Sequence, residues 1–64
     1  MNLKEYDKFK IDYDLKEDDI ANIIGCSKPT VLNKKYKDLF TIDDINKIII
    51  KCKLPKERVL NIFF

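Results

Sequence analysis

Residues 18–36 read DDIANIIGCSKPTVLNKKY, and this stretch decides the fold. Ile20, Ile23 and Ile24 recur at helical spacing, with Ala21 beside them. Glu17, Asp18 and Asp19 occupy the first turn of that helix, where carboxylates complement the helix dipole. Gly25 follows the last isoleucine and supplies the positive φ at which helices commonly end. Ser27 is a good N-cap for a second helix. Pro29 is tolerated in its first turn, whose N–H groups have no helical partner. Two short helices separated by a glycine-containing turn predict a helix-turn-helix. In that arrangement the small Ala21 lets the helices cross closely. Cys26 and Val31 fill the gap between them, and Ile20 and Ile24 fasten the pair to the core. A generic helical hairpin in a small bundle carries the same pattern.

Upstream, Leu3, Tyr6, Phe9 and Tyr13 predict a helix from Leu3 to about Asp12, with Asn2 as its cap. Leu15 packs back from the loop that follows. Downstream, Thr41 and Asp44 resemble a capping box with Asp in place of Glu or Gln, and Phe40 and Ile45 stand at the two positions of a hydrophobic staple. Ile45, Ile48, Ile49 and Cys52 continue that helix. Residues 47–54 also alternate, which would place Ile48, Ile50, Cys52 and Leu54 on one side of a strand. Helix is preferred because the pattern starts at Ile42, longer than a typical strand, and an edge strand is the alternative. A last helix starts near Pro55 and carries Val59, Leu60 and Phe63. The expected fold is all-α: a compact bundle of about five short helices forming a single domain over residues 1–64.

A chain of 64 residues buries only roughly 60% of its unfolded surface, so its stability is marginal. Cys26 and Cys52 lack CxxC spacing and there is no histidine, so cysteine and histidine alone cannot assemble a zinc site. No metal, cofactor or small-molecule ligand is expected. Both cysteines are expected as free thiols in the core. No apolar run approaches the ~20 residues that span a bilayer. The charged start MNLKEYDKFK does not read as a signal peptide, so a cytoplasmic location is expected.

Net charge is only +2, but it is unevenly spread. Residues 1–26 hold four bases against seven acids, and residues 27–64 hold nine bases against four acids. Lys28, Lys34, Lys35 and Lys37 form a run with no acid before Asp38. Such a patch fits a polyanion-binding face, or else a solvated lysine surface. Catalysis is not expected. Histidine, the commonest general acid-base group, is missing, and no glycine-rich phosphate loop or nucleophile elbow occurs.

The run LKEDDIANIIGCSKPTVLNKK, residues 15–35, resembles the helix-turn-helix of the Cro and lambda-type (XRE-like) repressors. It is most similar to the short Cro-like repressors of phages of low-GC Gram-positive bacteria, which end in a segment like FTIDDINKIIIKCKLPKERVLNIFF. The resemblance extends from about Phe9 to Phe64. It implies a lambda repressor-like DNA-binding domain whose third helix enters the major groove. On this sequence, Lys28, Pro29 and Asn33 would meet base edges. Lys28 would donate to guanine O6 and N7, Asn33 would pair with adenine N6 and N7, and Pro29 would offer an apolar contact. Lys16, Thr30, Lys34, Lys35 and Lys37 would serve the DNA backbone. Three features depart from the family pattern: Glu17 where relatives often have a phosphate-donating glutamine, Lys34 where many have an apolar residue, and a short loop at 36–39.

The implied function is a sequence-specific regulator of transcription in a bacterial host cell, which represses by occluding promoters. The implied partners are a double-stranded, palindromic operator and a second copy of the chain. Ile62 and Phe64 are the expected homodimer contacts, unless Leu60 and Phe63 close the core and Phe64 frays. The competing expectation is a helix-turn-helix used as a protein-binding module: an antirepressor, an antitoxin or an inhibitor of a host system.

Overall fold

The computed structural model describes residues 1–64 and is all-helical. The elements are α1 (Leu3–Asp12), α2 (Glu17–Ile24), α3 (Lys28–Lys37), α4 (Ile42–Cys52) and α5 (Lys56–Phe63). Residues 47–54 therefore continue and close a helix, and none of them forms a strand.

Each helix starts where its local chemistry places it. The Asn2 side chain accepts the Glu5 N–H at 3.2 Å, and the Ser27 hydroxyl accepts the Thr30 N–H at 3.4 Å. At α4 the capping box is complete: Asp44 N–H donates to the Thr41 hydroxyl and Thr41 N–H donates to the Asp44 carboxylate, both at 3.1 Å. Pro55 is the N-cap of α5 rather than its first residue. Gly25 ends α2 in the left-handed conformation, with φ 79°. Asp38 and Lys53 end α3 and α4 in that same conformation, which side-chain-bearing residues adopt at a cost of about 1 kcal/mol.

The core is one cluster drawn from every helix. Tyr6 and Phe9 of α1, Ile20, Ala21 and Ile24 of α2, and Val31 of α3 meet Ile45 and Ile48 of α4, Leu54, and Val59 and Ile62 of α5. Phe40 stands in the α3–α4 loop with its ring 5.8 Å from both the Tyr6 and the Phe63 rings, bridging the two ends of the chain. The Asn2 N–H donates to the Ile62 carbonyl at 2.8 Å, and the Met1 ammonium lies 2.8 Å from Asp38. Cys26 and Cys52 are free and half-buried at the edge of this cluster. Burial pushes the Cys52 thiol above its ordinary value. No helix is long and apolar enough to cross a membrane.

The inward side of α5 differs from the sequence expectation. Ile62, expected at a contact between copies, is fully buried, while Leu60 is half exposed. The reason is the axial rotation of the helix. Val59 and Ile62, three residues apart, share the face that meets the core, and Leu60 and Phe64 fall together on the next strip round.

Candidate nucleic-acid interface

α3 gives the core a single fully buried side chain, Val31. Its partner in close packing is α2, reached through the turn Gly25–Ser27. Ala21, which lies in that region, is buried. The rest of α3 divides by face. Leu32, Lys34 and Lys35 are half-buried, whereas Lys28, Pro29, Thr30, Asn33, Tyr36 and Lys37 are exposed. Pro29, Asn33 and Lys37 follow one another at i, i+4 and so form a row along the helix, with Thr30 three residues before Asn33. The Thr30 hydroxyl sits 2.9 Å from the Ser27 hydroxyl, close to the helix N-terminus. Lys28, Pro29, Thr30 and Asn33 are thus all exposed, with Pro29 and Asn33 on the side of α3 away from Val31 and Lys28 at the N-terminal end of the helix.

Lys34 and Lys35 face elsewhere. The Lys34 ammonium is 2.7 Å from Asp44 of α4, and the Lys35 ammonium is 3.1 Å from Asp7 of α1. Lys35 also lies over the Tyr6 ring, 5.5 Å from its centroid, and only 10% of its side chain is exposed. Burial works against the charge on Lys35, but the hydrogen bond and charge of Asp7 outweigh it and raise its pKa above the usual lysine value. Burial likewise pushes the Asp44 carboxyl up. The Lys34 ammonium and the two Thr41 hydrogen bonds more than reverse this and hold it below its ordinary value. Two lysines that the resemblance assigns to phosphate are therefore bound within the domain. Lys16, Lys28 and Lys37 are exposed and outside every ion pair.

The acidic start of α2 is also changed by its surroundings. Glu17 turns inward, accepting from the Tyr6 hydroxyl at 3.2 Å and from the Lys10 ammonium. Its second carboxylate oxygen is buried without a hydrogen-bond partner. Burial first, then the Glu17 charge, raises the Tyr6 phenol above its ordinary value. Asp19 accepts the Lys16 backbone N–H at 2.8 Å, as a first-turn carboxylate does. Only Asp18 of the three stands exposed.

Asp44 was legible as a cap, but its second role as partner of Lys34 was not. Asp7 carried no signal, because its partner Lys35 is 28 residues away and no local spacing links them. At the far end of the chain Leu60 and Phe64 are exposed, beside Phe63, whose ring packs on Phe40. Comparison with protein-family models, curated proteins and solved structures returned no match, so the residues themselves carry the functional reading.

Proposed function

We propose that the protein binds double-stranded DNA sequence-specifically and regulates transcription by occluding promoters, with α2, the turn and α3 acting as a helix-turn-helix. One observation carries this reading: Lys28, Pro29, Thr30 and Asn33 of α3 are all exposed. A helix held by one buried residue and its α2 contact can slot into a major groove about 12 Å wide. Lys28 and Asn33 supply the donor and the two-pronged amide that read guanine and adenine edges. Lys16, Lys28 and Lys37 are the cations left for phosphate, with the α3 N-terminus beside Thr30. Glu17 presents no barrier, because its charge is taken up by Lys10 inside the domain.

A single module of this size makes few base contacts, so a second copy on a two-fold site belongs to the reading. With Ile62 in the core, the apolar strip Leu60 and Phe64 takes over as the contact between copies.

Selection of bound duplexes from a random pool at near-physiological salt tests the proposal. A palindromic consensus is expected. Alanine at Lys28 or Asn33 relaxes it at particular positions by about 1–3 kcal/mol each. Recovery of no preferred sequence, with residual binding indifferent to salt, points instead to a protein-binding module.

A further inference from the structure

α3 bears two neighbouring lysines that reach in different directions. Lys34 spans to Asp44 on α4 and Lys35 spans to Asp7 on α1. Neither α1 nor α4 packs broadly against α3, whose close neighbour is α2. The two ion pairs thus tie α3 to both flanking helices, in addition to Val31 in the core and the Met1 ammonium on Asp38 at the C-cap. The Lys34 and Asp44 side chains are 21% and 11% exposed, whereas in the other pair an enclosed Lys35, 10% exposed, meets an Asp7 that is 52% exposed. Each acid is itself held. Asp44 is fixed by Thr41, and Asp7 also faces Lys10, 3.6 Å away, which in turn binds Glu17.

We propose that Asp7 and Asp44 are positioning residues. Through Lys35 and Lys34 they set how α3 is seated on the domain, and these two lysines serve base reading through geometry and not by bonding to phosphate. The inference rests on the DNA-binding reading for its functional half. Its structural half, the seating of α3, stands apart. A bond from Lys35 to phosphate requires the ammonium to leave both Asp7 and the Tyr6 ring. A bond from Lys34 to phosphate leaves the buried Asp44 carboxylate without its cation, a costly state. The free Lys16, Lys28 and Lys37 meet no such obstacle.

Substitution of each partner in turn separates the two roles. Lys35→Met breaks the tie to α1 and keeps the apolar stem over the Tyr6 ring, and Asp7→Asn weakens it while leaving the lysine in place. The whole chain is measured in two ways: amide resonances of residues 28–37 in the free protein, and affinity for the selected and a scrambled duplex across a salt series. If Asp7 positions α3, both variants displace those resonances and lose preference for the selected duplex roughly tenfold, the worth of one base pair read correctly. Lys34→Met, which keeps the cap and the apolar stem, lowers preference while leaving the salt slope unchanged.

Three results overturn the inference: unmoved α3 resonances in Lys35→Met, an Asp7→Asn variant that keeps full preference for the selected duplex, or a salt slope that falls by about 0.9 in Lys34→Met, as when one phosphate is no longer neutralised. If the native chain binds no duplex, the DNA reading fails on its own. The resonances then decide whether the ties seat α3.

Discussion

The Lys34 ammonium lies 2.7 Å from Asp44 Oδ2, and that same oxygen accepts the Thr41 N–H. One carboxylate oxygen thus closes the start of α4 and tethers α3. Asp44→Ala removes a cap and strands a half-buried ammonium, for an expected loss of about 2 kcal/mol. Thr41→Ala removes only the cap, at about 1 kcal/mol. Urea unfolding of the two variants checks the difference.

The same carboxylate makes stability depend on acid. Its folded pKa is below its unfolded value of about 3.9, so its contribution is complete above that pH. The contribution is lost as pH falls through the lower folded value. The native chain therefore loses stability below pH ~4 more steeply than Asp44→Asn does. Parallel curves from unfolding at a series of acid pH values would refute this.

Ile62 and Phe64 are two residues apart and respond differently. Ile62→Ala opens a cavity in a fully buried site and costs about 3 kcal/mol, a large part of the stability of so small a domain. Phe64 is exposed, so Phe64→Ala changes monomer stability by no more than about 0.5 kcal/mol. In the proposed dimer its expected effect is on association instead. Sedimentation on and off DNA is expected to show weakened dimers for Phe64→Ala and for Leu60→Ala.

Helix ends give a matched pair of opposite sign. At Gly25 an added Cβ meets nothing within 4 Å, so Gly25→Ala is penalised by its positive φ alone, by about 1 kcal/mol. Lys53 holds the left-handed conformation with a side chain and has no ion-pair partner. Lys53→Gly relieves that strain while loosening the unfolded chain, for a net gain of about 0.5 kcal/mol. Thermal unfolding reads both shifts.

For the proposed DNA binding, Lys28→Ala and Lys37→Ala are both expected to shallow the salt dependence, by about 0.9 in slope for each phosphate that is no longer neutralised. Only Lys28→Ala and Asn33→Ala are expected to alter which bases are preferred. Titrations on the selected and scrambled duplexes at two salt concentrations separate these effects.

The sequence by itself determined the helices and most of their ends. Asn2, Ser27 and the Thr41–Asp44 box act over three residues, and Gly25 acts at one position, so their chemistry is written locally. Apolar spacing placed Tyr6, Phe9, Ile20, Ile24, Val31, Ile45 and Ile48 inside, because helical period alone puts them on one face. The resemblance to Cro and lambda-type repressors, not the spacing, made Lys28 and Asn33 candidates, and both are exposed to solvent. What only the tertiary structure decided were pairings across 10, 11 and 28 residues: Lys34 with Asp44, Tyr6 with Glu17, and Lys35 with Asp7. It also chose Ile62 over Leu60 for the core. The physical reason is shared. A charge can be neutralised by any opposite charge brought near it, and an apolar-rich helix such as α5 can turn more than one side inward. Both choices are made by packing between helices, which no local spacing encodes.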